Sequence, residues 1–351
     1  MANMFIDMFV GGPMPLKKKQ DDMSPHFSKS AETPRIGVLI NPLSGNNRNG
    51  LDTIRKIIAD FPRGLQRDVQ TPEDIRSALE YFARKNVNLV AVCGGDGTVQ
   101  AVLTALFRYR HFESLPLLAL LQGGTANMLS KDLGLRGSRK KALRRLMHWS
   151  MSGDDKAYIQ QRPVLRVSTA GNQEPLYGLF FGAGAIYQGI RFFHEKVKTW
   201  GLRGELAHLL ILGRYLAALA TKSRNVVNPI PINIAWDQHQ SKPEDYLLVL
   251  ISTLERVILG LRPFWGTEDG PLQFTAVGSR PRHLLPTIFQ LVFKRDNRYP
   301  KSKNGYISHN VHKVQLDLQS GFTLDGELYF PDPRLGPVVV EEGGQASFLR
   351  L

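Results

Sequence analysis

Gly94, Gly95, Asp96, Gly97 and Thr98 are the residues of this chain whose types and spacing point most directly to chemistry. Three glycines in five residues let backbone N–H groups approach an anion closely, and a helix beginning there would add the favourable end of its dipole. The one carboxylate, Asp96, would repel a bare phosphate, so its presence points to a metal ion or to a proton to be taken. Far along the chain, Thr323-Leu324-Asp325-Gly326-Glu327 sets two carboxylates either side of a glycine. On a tight turn such a pair can divide labour, one group taking a proton while the other holds metal or water.

The neighbouring elements must position the glycine loop. Residues 87–93 form an apolar run that reads as a buried strand, and Val99, Val102, Leu103 and Leu106 follow at helical spacing. Strand, loop and helix recur about four times in the first 150 residues, with further strands at 35–40, 67–70 and 115–121 and helices at 51–60 and 73–85. That alternation is the signature of a parallel sheet with helices on both faces, whose ligands lie at the carboxyl ends of the strands. The loops leaving those ends carry small polar residues: Asn41-Pro42-Leu43-Ser44-Gly45, Thr71, the glycine loop itself, and Gly123-Gly124-Thr125-Ala126-Asn127. Four such loops meeting at one edge predict a phosphate site.

After residue 160 the texture changes to short apolar runs at 164–167, 176–181, 230–235, 246–252, 272–277 and 314–318, with one long helical stretch near 192–221. The expected organisation is therefore an arm over 1–34, an α/β domain over 35–160 and a mostly-β domain over 161–351. The arm opens with Met4, Phe5, Ile6, Met8 and Phe9 before a Lys17–Lys19 run, the reverse of the charge order of a secretory signal.

Composition narrows the field. A chain of 351 residues with 42% apolar and 22% charged residues can bury two cores, and its single cysteine, Cys93, rules out a disulfide framework or a zinc cluster. A reducing, cytoplasmic setting follows. The net charge of +14 is uneven: residues 131–150 hold seven Lys or Arg against one Asp, and residues 280–303 hold seven against one. The first group reads as a helix from about Ser138 with Leu143, Leu146 and Met147 inward, Arg139, Lys140, Arg144 and Arg145 outward and Trp149 at its end. A basic face edged by an aromatic suits an anionic membrane surface and peripheral attachment. No zinc-finger or RNP-type pattern accompanies the charge, so nucleic acid is not expected as a partner. The apolar region at 206–220 is broken by His208, Gly213 and Arg214 and is too short to span a bilayer. No Gly-x-x-x-x-Gly-Lys-Ser/Thr occurs, which argues against a P-loop kinase.

Taken in order, residues 41–45, Thr71, 94–98, 124–127, Gly182-Ala183-Gly184, Asp269-Gly270 and 325–327 resemble the diacylglycerol kinase catalytic family, from about residue 35 to the end of the chain. The resemblance implies an NAD-kinase-like α/β domain and a β-sandwich-like domain with ATP in the cleft between them, and transfer of the γ-phosphoryl group to a lipid hydroxyl. It assigns Asn41, Pro42, Ser44, Gly45, Thr71, Gly94, Gly95, Asp96, Gly97, Thr98, Gly124, Thr125 and Asn127 to the nucleotide. It gives Asp96 a part in handling Mg²⁺, links Asp269 to a second, structural metal, and puts the proton acceptor at Asp325 or Glu327. A lipid substrate is the implied partner, and a homodimer is compatible with it. A soluble-substrate kinase of the NAD-kinase kind and a non-catalytic nucleotide- or lipid-binding member are the alternatives. Two acidic positions of the family pattern are missing, since Ala101 and Met128 stand where Glu and Asp are usual. Asp132, one helical turn beyond Met128, is the residue that would compensate. On this reading Asp96→Asn abolishes transfer and leaves the fold intact.

Overall fold

The computed structural model describes residues 34–45, 50–61, 64–124, 127–152, 157–171, 174–200, 228–241, 244–257, 260–293 and 300–351. Most of the arm, Thr125, part of the second basic cluster and the apolar region at 206–220 lie outside the described residues.

The first domain is the alternation the sequence predicts. Strands β1 (Ile36–Ile40), β2 (Gly64–Asp68), β3 (Leu89–Gly94) and β4 (Leu117–Gln122) pair in parallel in the order β2-β1-β3-β4. Helices α1 (Leu51–Ala59), α2 (Pro72–Arg84) and α3 (Asp96–Tyr109) make the crossovers. Because strand side chains alternate, Ile36, Val38, Ile40, Leu89, Ala91 and Cys93 face one side with Ile54 and Ile58 of α1, and Leu39, Val90 and Val92 face the other with α2 and α3. Gly37 has no side chain because the Phe82 ring fills the place, 2.6 Å from where a Cβ would stand. Cys93 is buried in this core. Strand β2 lies about three residues earlier than its apolar pattern indicates, since it is an edge strand whose residues are largely exposed.

Two further helices follow β4: α4 (Met128–Leu133) and α5 (Arg139–Ser152). Leu143, Leu146 and Met147 of α5 are buried while Lys140, Arg144 and Arg145 are turned outward, as the spacing predicts; Arg139, expected outward as well, is half-buried, and Lys141 is exposed. Trp149 does not edge that basic face. It is buried with Leu117 and Leu121 in the core under α1, and the helix runs on to Ser152.

The rest of the chain is strand-rich: β5 (Tyr158–Thr169), β6 (Leu176–Gly178), β7 (Phe180–Gly184), then helix α6 (Ala185–Trp200), and β8 (Ile230–Trp236), β9 (His239–Gln240), β10 (Glu244–Ser252) and β11 (Leu272–Gly278). Helix α7 (Leu284–Phe293) precedes β12 (Tyr306–Val311), β13 (Lys313–Leu318), β14 (Phe322–Leu324), β15 (Glu327–Tyr329) and β16 (Val338–Arg350). The long β16 joins the halves. It pairs with β13 and, along most of its length, with β5, and at Phe348 it pairs in parallel with Leu118 of β4. The chain therefore returns to the first domain at its end, and Phe348 and Leu349 pack in that domain's two cores.

The apolar run at 176–181 is two strands. At Leu179 the chain changes partners, from β5 on one side to β10 and β14 on the other. The Leu179 N–H is given to a side chain, Asp325, and its carbonyl accepts from the Ser252 hydroxyl and the Thr253 N–H. That switch carries the second domain to the candidate site.

Candidate active site

Strands β1 and β3 end side by side, and their loops are tied together. The Asn41 N–H donates to the Cys93 carbonyl, the Asn41 side-chain amide donates to the Thr98 hydroxyl at 2.9 Å, and its Oδ1 accepts from the Leu43 N–H at 2.9 Å. The glycines are explained by crowding. A Cβ on Gly124 would lie 2.6 Å from the Gly95 Cα, and one on Gly123 would lie 2.8 Å from the Gly94 N. The loops after β3 and β4 therefore stack backbone on backbone, which no larger residue permits. Ser44 closes the other side, its hydroxyl 3.1 Å from a Cβ built on Gly95. Asn127, at φ 50°, folds back to exchange two hydrogen bonds with Gly124.

Helix α3 starts inside this cluster at Asp96, with Gly95 at its cap and no side chain capping it. The N–H groups of its first turn are thus left without a side-chain cap, at a helix end where negative charge is favoured. Asp96 does not cap its own helix. Its two carboxylate oxygens accept the N–H groups of Met128 and Leu129, at 2.9 and 3.0 Å, and so hold the start of α4. Burial raises its carboxyl above the ordinary range, against the opposing pull of those two N–H groups and of Lys131. The residue read as a metal ligand is bound to the fold through both oxygens.

The second acidic motif reaches the same place from the other half. Strands β14 and β15 form a hairpin whose two-residue turn is Asp325-Gly326, at φ 51° and 95°, the left-handed conformation that such turns require. Asp325 is buried, and it accepts the N–H groups of Leu179 at 3.0 Å and Phe180 at 2.8 Å. Burial pushes its carboxyl well above the ordinary range, and the charges of Asp96 and Glu327 push the same way. Glu327 is exposed and rests on the first turn of α3: a Cβ on Gly97 would overlap its Oε1 and lie 2.9 Å from its Cδ. Three carboxylates from opposite ends of the sequence thus meet at one helix N-terminus.

Other predicted positions stand apart. Thr71 sits at the carboxyl edge, but its hydroxyl is used as the cap of α2, accepting from the Asp74 N–H at 3.1 Å in a reciprocal capping box. Pro42 and Gly45 lie on the β1 loop with Ser44. Asp269 is exposed just before β11, with its carbonyl in contact with the His312 ring. Among the described residues no group of three or more His, Cys, Asp or Glu side chains could hold a metal ion, which leaves the metal roles of Asp96 and Asp269 without a ligand set. Asp132 does not replace the absent acid at 128. It accepts the Glu255 N–H and lies near Arg162, which is paired with Glu255, in a contact that ties α4 to the second domain. What the motifs do not reveal is Tyr329, two residues beyond Glu327 on the same strand face, and the backbone of Leu179 and Phe180. Strand alternation points to the first, and the others carry no side-chain signal.

Residues 35–155 match the diacylglycerol kinase catalytic domain. The chain also aligns with the Stenotrophomonas maltophilia (strain K279a) protein named Probable lipid kinase YegS-like, at 31% identity over 115 residues, and with Diacylglycerol kinase 2 of Arabidopsis thaliana, at 37% over 101 residues. These alignments cover 31% and 27% of this chain, and 36% and 13% of the relatives' own lengths. The fold match is wider. A crystal structure of a diacylglycerol kinase from Bacillus anthracis str. Sterne superposes with a TM-score of 0.55 at 17% identity, over 91% of this chain and 97% of that one. The α/β domain with its strand-rich partner therefore shares the fold of that structure, and the segment that matches the family model contains every loop of the glycine cluster described above. No helix among the described residues is long and apolar enough to cross a membrane.

Proposed function

We propose that this chain is an ATP-dependent lipid kinase that transfers the γ-phosphoryl group to a hydroxyl of diacylglycerol or a related lipid. The observation that supports it most directly is the seat of Glu327 on Gly97, at the uncapped N-terminus of α3. Phosphoryl transfer asks the protein mainly to position two oxygens and to stabilise charge. The N–H groups of the first turn of α3 would receive the anionic tail of the nucleotide, with Asn41 and Ser44 of the β1 loop beside it. The exposed carboxylate of Glu327 is the group free to take the proton of the acceptor hydroxyl. Asp325 is the less suitable of the pair, because it is buried and its oxygens are already bonded to Leu179 and Phe180.

The carboxylates do not fit a resident magnesium site, since Asp96 and Asp325 each already accept two N–H groups and, among the described residues, no three acidic, His or Cys side chains are placed to hold a metal ion together. Magnesium usually meets an enzyme on the phosphates of its substrate, keeping several waters, and that route asks for no such cage. Binding of the nucleotide and removal of the acceptor proton therefore fall to the chain's own groups. Lys140, Lys141, Arg144 and Arg145 along α5 are the surface offered to an anionic bilayer, each worth about 1 kcal/mol near such a surface.

Incubation with ATP labelled in the γ-phosphate, a total lipid extract and added NAD tests the reading. Label in the organic phase is the expected result, and Glu327→Gln should lower turnover by about 10²- to 10⁴-fold. Label on NAD instead would identify a soluble-substrate kinase, and nucleotide binding without any transfer would identify a binding protein.

A further inference from the structure

Helix α3 carries both ends of a closed path of contacts. Gly97, in its first turn, receives Glu327. Two turns on, Thr104 meets the backbone of Tyr177 in β6, a strand of three residues that pairs with β5 along one edge. On the other edge the Thr104 hydroxyl takes the place of a ladder partner, accepting the Tyr177 N–H at 3.0 Å and donating to the Tyr177 carbonyl at 3.1 Å. Gln100, buried one turn earlier on the same face, donates its amide to the Thr104 hydroxyl at 3.0 Å and to the same carbonyl at 3.3 Å. The hydroxyl thus gives one hydrogen bond and receives two, its full complement. One turn later Arg108 donates to the Pro175 carbonyl at 2.8 Å, and the Phe107 ring stacks on that of Tyr177 at 5.4 Å.

The residues after Tyr177 lead straight to the carboxylate turn. Gly178 lies against it, since a Cβ there would stand 2.5 Å from Oδ2 of Asp325 and 2.8 Å from the Leu324 side chain. Leu179 and Phe180 give their N–H groups to Asp325 at 3.0 and 2.8 Å, and the Leu179 carbonyl is held from the other side by the Ser252 hydroxyl at 2.9 Å. Asp325 and Gly326 are the turn whose next residue is Glu327. Strand β15 has three residues, stands at the end of the sheet and pairs with β14 alone, so its own ladder constrains Glu327 weakly. The path from Thr104 through Tyr177, Leu179, Phe180 and Asp325 therefore brings Glu327 back to the helix on which it began, about 10.5 Å along the axis from Thr104.

We propose that Thr104, supported by Gln100, is a positioning residue: it fixes the Tyr177 backbone on α3, and so places the two N–H groups that hold the Asp325 turn and, through that turn, Glu327 against Gly97. The inference rests on the kinase reading for its effect on rate, while the attachment itself stands on the hydrogen bonds. A hydroxyl is the small group that can answer both the N–H and the carbonyl of one residue. Valine has nearly its shape and neither function, and serine keeps both.

Thr104→Val should lower kcat for transfer to lipid by about tenfold and leave KM for ATP within about twofold, whereas Thr104→Ser should stay within about twofold of the wild type in both. Amide hydrogen exchange at Leu179 and Phe180 should quicken by about tenfold in Thr104→Val and not in Thr104→Ser, whether or not nucleotide is present. On a Glu327→Gln background Thr104→Val should slow transfer no further, because it acts through that carboxylate. Gln100→Met spares the hydroxyl and is the variant to read should Thr104→Val not fold, with the same pattern of lowered kcat, unchanged KM and quickened exchange. Wild-type kcat and exchange in the variant read, a loss carried by KM instead of kcat, or a further loss on Glu327→Gln would overturn the proposal. A wild-type chain that labels no lipid overturns the kinase reading separately, and the exchange measurement then decides whether Thr104 places the turn.

Discussion

Gly97→Ala separates the rate of this protein from its stability. Gly97 lies in the first turn of α3 without a left-handed φ, so alanine suits the backbone and should favour the helix by about 0.5–1 kcal/mol. The new methyl would overlap Oε1 of Glu327 and stand 2.9 Å from its Cδ, and no other group approaches as closely. To reach ordinary contact the carboxylate oxygen has to retreat by more than about 1 Å, and a displacement of about 1 Å can already cost about 10²-fold in rate, or about 2.7 kcal/mol of barrier. Glu327 is exposed and its side chain flexible, so the retreat itself costs little folding free energy. The expected result is an unfolding midpoint equal to or slightly above that of the wild type, beside a single-turnover rate of transfer to lipid about a hundredfold lower. Combining Gly97→Ala with Glu327→Ala should give no further loss beyond Glu327→Ala alone. A variant that folds normally and transfers phosphate at the wild-type rate would show that the seat of Glu327 has no part in the chemistry.

Two further substitutions probe the anchors. Asp96→Asn offers one oxygen and one amide to the N–H groups of Met128 and Leu129, leaving one donor facing another, and should destabilise the chain by about 1–3 kcal/mol in urea unfolding. An unchanged midpoint would remove Asp96 from its role of holding the start of α4. Asp325 has its folded pKa raised above the unfolded one, so the folded chain holds that proton more tightly. Its contribution to stability is present below about pH 4 and is lost as pH rises through the folded value. Asp325→Asn should therefore gain on the wild type in unfolding free energy as pH rises above about 4, and a difference that stays flat with pH would refute the raised carboxyl.

Much of the first domain is legible in the sequence because its information is local. Apolar runs of six or seven residues, each closed by a glycine or a small polar residue, mark β1, β3 and β4, and the helical spacing of Leu143, Leu146 and Met147 marks the buried face of α5. Strands of the second domain carry weaker patterns. Strand β16 is interrupted by Gly343 and Gly344 at a bulge between Glu342 and Gln345, and β12 mixes Ser308, His309 and Asn310 into its run. The meeting of Asp96, Asp325 and Glu327 can be expected only from the family resemblance, because it depends on β16 returning to β4 and on the chain switching partners at Leu179. What each carboxylate does is not legible even then. Asp96 and Asp325 are fixed by backbone N–H groups, which leave no trace in the sequence of their donors.

That division changes the meaning of the two missing acids. Ala101 and Met128 both pack in the core shared by α3, α4 and the second domain, so a carboxylate at either place would be brought toward apolar surroundings. It would also add negative charge near Asp96 and Asp325, where burial already raises both carboxyls and the charge of Asp96 raises that of Asp325 further. A chain that keeps its structural carboxylates and lacks these two lowers the repulsion at the site while retaining Glu327, the exposed acid of β15 seated against α3. The N–H of Met128 still serves Asp96, since that bond needs only the backbone. Loss of the acids therefore argues for a site that relies on fewer charges, and the measured dependence of transfer on Glu327, with Ala101 and Met128 unchanged, is what distinguishes such a kinase from a binding protein built on the same fold.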